Sequence, residues 1–208
     1  MKDSLRRAGD RGLWAPLPGP IGLVSASPRR AALLEQVRLP FVVVPPRHEE
    51  EAPEAAEPEA LVTLLAERKV RAVEGERGVP DLLLGADTVV VQEGRILGKP
   101  RSAAEAREML SSLSGREHWV ISGVFALHRG TGRGVAGTER TKVLFRGLEE
   151  REIADYVATG EPMDKAGAYG IQGVGALLVE RIEGCYSNVV GLPLMRTMGV
   201  LHGVLSRE

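Results

Sequence analysis

Two segments that read as long strands, Trp119 to Leu127 and Val135 to Phe145, are joined by the glycine-rich segment Arg129 to Gly134. Such a junction is a strand-to-strand turn, so the pair predicts a long antiparallel hairpin. Around it, short apolar stretches that read as strands alternate with segments of helical spacing, the pattern of an α/β chain. A hairpin set inside that alternation excludes an all-parallel sheet. The expectation is α/β with a mixed, curved central sheet, flanked by helices in two lobes with an active-site cleft.

The other elements follow from local signals. Ile21 to Val24 and Phe41 to Val44 read as strands on either side of a helix that Ser27 caps and Pro28 opens. From Pro58 to about Glu74 the spacing is helical, with Leu61 and Leu65 on one line and Lys69 next on it. A lysine that extends an apolar stripe is either snorkelling at its edge or aimed at an anion. Leu82 to Leu84 and Val89 to Val91 are buried-strand runs flanking Gly85-Ala86-Asp87-Thr88, which reads as a loop. Ser102 and Glu105 form a capping box for a helix running to Leu113. Glu149 to Ala158 is a helix stopped by Gly160. A loop from Glu161 to Gly173, a strand from Ala176 to Ile182, a loop from Gly184 to Pro193 and a C-terminal helix complete the chain. Residues 1–20 are basic and then proline-rich, which predicts a flexible N-terminal extension; residues 21–208 form a single domain.

Composition removes several function classes. Twenty-seven Lys plus Arg against 28 Asp plus Glu give a net charge of -1, so no bulk field favours nucleic acid or an anionic membrane. A single cysteine, Cys185, excludes an internal disulfide and multi-cysteine metal sites, and the four histidines are scattered. No apolar run nears the roughly 20 residues of a membrane span, and the N-terminus lacks the apolar core of a secretory signal. The expected location is cytoplasmic.

Familiar nucleotide motifs fail on context. Gly94 to Lys99 is too short for a phosphate-binding loop, and Pro100 forbids the helix that should follow the lysine. Gly130, Gly132 and Gly134 lie in a strand–strand turn rather than a strand–helix turn. What remains is a set of polar residues in unusual places. Arg29 and Arg30 occupy the first turn of a helix, where the macrodipole disfavours cations; they form either a phosphate cradle or surface ion pairs. Asp87, between apolar strand segments, is either a general base or metal ligand carried on a strand end, or a local turn former. Lys99 could neutralise phosphate oxygens near Asp87, or be an ordinary surface lysine. Asp164 to Gly173 combines three glycines with Gln172, which suits either contact with a flat base or a plain connector. With the acidic stretch His48 to Glu59, this inventory fits a polyphosphate ester whose charge is shared between cations and a carboxylate-bound cation.

The segments Ser25-Ala26-Ser27-Pro28-Arg29-Arg30, Gly85-Ala86-Asp87-Thr88, Leu97-Gly98-Lys99-Pro100, Asp164 to Gly173 and Asn188-Val189-Val190-Gly191-Leu192-Pro193 occur in the order seen in the Maf family. The chain resembles those nucleoside triphosphate pyrophosphatases, historically linked to septum formation, over about residues 21–206. The run Lys165 to Gly173 resembles the dTTP/UTP pyrophosphatase branch rather than the 7-methyl-GTP branch. The resemblance implies a fold like that of inosine triphosphate pyrophosphatases. It also implies hydrolysis of a nucleoside triphosphate between the α and β phosphates, with a divalent cation, Mg2+ or Mn2+. Asp87 matches the family's proton acceptor, and Arg29, Thr88 and Gln172 match its specificity positions. Ser25, Arg30, Glu50, Lys69 and Lys99 match further active-site members, with Glu50, chosen over Glu49 by alignment, sharing the metal with Asp87. Neither nucleic acid nor membrane is an implied partner, and a homodimer is the assembly to test. A non-catalytic nucleotide-binding regulator of division is the contrasting reading; loss of Asp87 or the lysines would favour it, and all are present.

Overall fold

A computed structural model describes residues 17–47 and 57–206. Residues 1–16 of the expected extension, most of the acidic stretch and Glu50 with it lie outside the described residues. The hairpin forms as its sequence requires: β5 (Glu117–His128) and β6 (Arg133–Phe145) pair antiparallel from Glu117↔Leu144 to His128↔Arg133. Around it the order is β1 (Ile21–Val24), α1 (Pro28–Gln36), β2 (Phe41–Val44), α2 (Pro58–Arg71), β3 (Leu82–Gln92), β4 (Arg95–Leu97) and α3 (Ala103–Leu113). After β5 and β6 come α4 (Glu150–Ala158), three short 3-10 turns between Glu161 and Leu178, β7 (Val179–Glu183), α5 (Tyr186–Val190) and α6 (Leu194–Leu205). One mixed sheet runs β2-β1-β3-β5-β6-β7, with β4 added to β3; β2, β1 and β3 are parallel, and the other pairings are antiparallel.

The segment Gly85–Thr88 is not the loop its composition suggests. β3 is continuous, paired with β5 from Leu82↔His128 to Val91↔Trp119. A full ladder with β5 outweighs the weak strand preference of Gly, Ala and Asp. The opposite edge is different. β1 accompanies β3 only as far as Val24↔Gly85, and β4 joins only at Val90↔Leu97. Between Ala86 and Val89 that edge of β3 therefore faces no strand, and this notch is where the site forms.

The two faces of β3 carry different layers, as strand alternation requires. On one face Leu83, with Phe125 and Leu127 of β5, packs on Ala66 and Val70 of α2, while Val89, Val91 and Ile121 pack on Val62. Two glycines let α2 approach this closely. A Cβ at Gly85 would lie 2.6 Å from the Ala66 carbonyl oxygen, and one at Gly123 would lie 2.5 Å from the Val62 carbonyl. On the other face, Leu82, Leu84 and Ala86 join a core with Leu33 and Leu34 of α1 and Leu201 of α6. Further along, Val90 joins a second core with Leu110 of α3 and Tyr156 of α4. Thr88 falls between these two cores, and the space between them is the cleft that separates the lobes.

Several boundaries differ from expectation. α2 stops at Arg71 rather than Glu74, because the Arg129 guanidinium collects the carbonyls of Glu74, Glu76 and Val79 and turns the chain aside. β7 begins at Val179, since residues 173–178 form a 3-10 turn gathered on Glu161. The 184–193 loop contains α5. Ser27 occupies the N-cap of α1, but its hydroxyl makes no capping bond; Ser25 Oγ instead accepts the Ser27 N–H at 3.1 Å. In the 102–105 capping box, Ser102 Oγ accepts from the Glu105 N–H, while the Glu105 carboxylate accepts from Arg101 rather than Ser102.

Candidate active site

The cleft has a volume of about 580 Å3, in the range of small-molecule sites. Ser25, Arg29, Arg30, Lys69, Asp87, Thr88, Lys99 and Gln172 all line it. Residues more than a hundred positions apart thus converge on the notch in β3. Of the expected site residues, only Glu50 cannot be located, lying outside the described residues.

Asp87 sits on the α2 face of β3, where Lys69 Nζ donates to its Oδ1. The pair is mostly buried, at 19% and 16% side-chain exposure. The glycine seats beneath α2 explain the contact: Lys69 follows Ala66 by three residues, so close approach of the helix carries the ammonium onto the carboxylate. Of the two readings of Lys69, the structure gives the one aimed at an anion. Asp87 belongs to a strand rather than to a local turn, and the missing neighbour strand opens it to the cleft.

The arginines in the first turn of α1 do different things. Arg30 is drawn into the wall: its guanidinium donates to the carbonyls of Gly191 and Ala86, each at 2.8 Å, and to the hydroxyls of Thr88 at 3.2 Å and Ser25 at 3.4 Å. Burial pushes this guanidinium below its ordinary value, against the pull of Asp87. Four of its five N–H donors are therefore used by the protein itself. Behind Thr88, its hydroxyl is 2.8 Å from buried Ser122 Oγ, and Asn188 Nδ2 donates to Val120 O and Thr141 Oγ1. Arg29 points across the cleft instead, donating to Asp164 Oδ2 at 2.7 Å. Burial works to raise the Asp164 carboxyl, but hydrogen bonds from Lys165 and Arg29 outweigh it and hold it at about 2. Asp164 was not among the residues that the sequence singled out, although it opens the flagged glycine-rich loop.

The opposing wall is that loop. The Gly167 N–H donates to Gly98 O, so the turn lies beside Lys99. Tyr169 is buried under the wall, its hydroxyl 2.8 Å from His118 Nε2, with Phe145 stacked edge-on against both rings. Burial lowers the His118 imidazole to about 4, so it is neutral near pH 7. Burial also pushes the Tyr156 and Tyr169 hydroxyls well above their ordinary value, so both remain protonated. Gln172 stands exposed at the loop's tip, with no hydrogen bond from its amide among the described residues.

Among the described residues, no group of three or more His, Cys, Asp or Glu side chains could hold a metal alone. A single carboxylate facing a polyphosphate is nevertheless a usual Mg2+ arrangement, the remaining ligands being phosphate oxygens and water. Asp87 meets that requirement. No described helix is long and apolar enough to cross a membrane.

The chain is similar to named proteins over most of its length. A dTTP/UTP pyrophosphatase of Geobacillus sp. (strain WCH70) is 53% identical over 176 residues, covering 85% of this chain and 93% of that protein. The dTTP/UTP pyrophosphatase of Symbiobacterium thermophilum is 55% identical over 179 residues, covering 86% and 91%. Among solved structures, the Staphylococcus aureus Ham1 protein covers 89% of this chain and 97% of its own, at 12% identity and a TM-score of 0.42, too distant to bear on the site. The family model described as "Maf-like protein" matches residues 20–204, nearly the whole described chain; the protein belongs to the Maf family.

Proposed function

We propose that this protein hydrolyses dTTP and UTP to the nucleoside monophosphate and pyrophosphate, in the cytoplasm and with a divalent cation. One observation carries the reading: a carboxylate–ammonium pair on the cleft floor faces one wall with an arginine and another with an uncommitted glutamine amide. The first two groups suit a triphosphate and the last suits a base. The naming of the similar Geobacillus and Symbiobacterium proteins as dTTP/UTP pyrophosphatases supports it.

In this reading Asp87 takes a proton from the water that attacks the α phosphorus. The bond from that phosphorus to the bridging oxygen breaks, and pyrophosphate leaves with the electron pair. Lys69 orients Asp87, and with Lys99 and Arg29 it stabilises negative charge on the departing group. Ser25 and Arg30 fix the wall at the strand notch, Arg30 by holding Ala86 and Gly191 in place. A Mg2+ or Mn2+ ion would be held by Asp87 and Glu50 and would supply charge neutralisation on the phosphates. Thr88 and Gln172 read the base. A glutamine amide offers one acceptor and one donor, which match the N–H and carbonyl of the uracil or thymine imide. Cytosine presents an amino group and a bare ring nitrogen, so the amide must flip or leave a polar group unpaired.

The test is a competition among equal dTTP, UTP, CTP and 7-methyl-GTP, read as monophosphates. dTMP and UMP should dominate, with CTP about ten- to a hundredfold lower in kcat/KM. Dominant 7-methyl-GMP would overturn the base assignment and leave the hydrolytic chemistry standing.

A further inference from the structure

Gln172 sits on a segment rich in glycine, a composition that by itself favours many conformations. The structure supplies a restraint from below. Tyr156, on the buried face of α4, donates its hydroxyl to Glu161 Oε1 at 3.0 Å, and the same hydroxyl accepts the Gly170 N–H at 3.3 Å. The Glu161 carboxylate then accepts the Val174 N–H on Oε2 and the Gly175 N–H on Oε1, both at 3.1 Å. One hydroxyl–carboxylate pair thus grips the chain just before Gln172 and again just after it. The grip requires glycine. Gly173 has φ +66°, and a Cβ there would lie 2.7 Å from Glu161 Oε2. A Cβ at Gly175 would lie 2.3 Å from Gly170 O and 2.6 Å from the Tyr156 hydroxyl.

We propose that Tyr156 and Glu161 are positioning residues for base selection, clipping both ends of the Gly170–Gly175 bend so that Gln172 presents its amide in one orientation. The inference rests on the reading of Gln172 as the base-contacting group. Discrimination by one amide requires that it not flip cheaply to suit the wrong base, and a tip whose two flanks are fixed meets that requirement. Neither residue lines the cleft. Loss of the clip should therefore reduce selectivity rather than chemistry.

Tyr156→Phe removes the hydroxyl and keeps the ring in the core. Glu161→Gln replaces one acceptor oxygen by an amino group that cannot receive an N–H. In each, the ratio of kcat/KM for dTTP over CTP should fall by about tenfold, with CTP turnover changed less than twofold. Amide hydrogen exchange at Gly170, Val174 and Gly175 should speed up in parallel. Gln172→Ala is the reference: it should collapse the ratio alone, and adding Glu161→Gln to it should lower the ratio no further. If Gln172→Ala collapses the ratio but both clip variants keep it, the clip is overturned and the base reading stands. If Gln172→Ala keeps the ratio, the base reading fails, and the clip's role in selection with it. Equal losses on dTTP and CTP in the clip variants would make Tyr156 and Glu161 merely structural.

Discussion

One wall of the cleft is made of regular elements and the other of turns. On the first, α1, β3 and α2 hold Arg29, Arg30, Asp87 and Lys69, and each side chain is aimed by a strand register, a helix start or a close helix–sheet contact. On the second, three 3-10 turns and the short links between them carry Asp164, Lys165 and Gln172, and the backbone is held by side chains from below: Tyr156, Glu161 and the His118–Tyr169 pair. The contrast separates two demands. Groups that act on a triphosphate are common to every nucleotide and can be built into the sheet. In the proposed reading, base recognition is shared between Thr88 on β3 and Gln172 on the turn wall, and only Gln172 is placed by contacts outside the sheet.

The sharpest test of this division is at Asp87. Asp87→Asn keeps size and hydrogen bonding but removes the charge, and turnover should fall by about two to four orders of magnitude. The fall should be equal for dTTP, UTP and CTP, because in the proposed reading Asp87 acts on the attacking water and not on the base. Steady-state kinetics on the folded variant measures this, and near wild-type turnover would remove Asp87 from the mechanism.

The second test concerns the support beneath the turns. His118 is held at about 4 by burial against an ordinary 6.5. Above pH 6.5 both the folded and unfolded chains carry it neutral, so it adds no pH dependence. Between 6.5 and 4 only the unfolded chain takes up the proton, so stability is lost as pH falls, by about 3 kcal/mol in all. Denaturant unfolding of the wild type and His118→Gln at pH 7 and pH 4 should show the variant losing less by that amount. Parallel losses in the two proteins would mean that His118 is not held neutral.

The smallest effect is expected where the walls meet. Arg29 spans the cleft to Asp164, and Arg29→Ala should raise KM and lower kcat together, by about tenfold in kcat/KM. Arg29→Lys should recover part of the loss, since a point charge cannot reproduce the planar fork. Full activity in the lysine variant would show that fork geometry is irrelevant.

How much of this was legible in the sequence follows the same division. The hairpin, α1, α3 and the strand runs of β3 carry strong local signals, and Arg29, Arg30 and Asp87 stood out by type and position, whereas Ser25 and Thr88 entered only through the family resemblance. The continuity of β3 through Gly85–Thr88 was not legible, because it depends on pairing with a strand some forty residues away. Nor was the partial diversion of Arg30 into the wall, whose acceptors lie 56 and 161 residues along the chain. The five spaced motifs named the family without any of this geometry. Tyr156 and Glu161 were missed for a different reason: one looks like an apolar-face residue of α4 and the other like the start of a loop. A tyrosine on a buried helix face does leave one clue, because its hydroxyl needs a partner.

The unbroken ladder joining β3, β5 and β6 also has a consequence for motion. These strands run through both lobes, with β3 and β5 paired at every position from Leu82 to Val91. A hinge between the lobes would have to bend or twist that ladder, so the paired strands oppose a large swing of one half of the molecule over the other. The side chains and the turns at the rim can move without bending the ladder. In the proposed reaction, selection among nucleotides then leans on how well the resting site already fits.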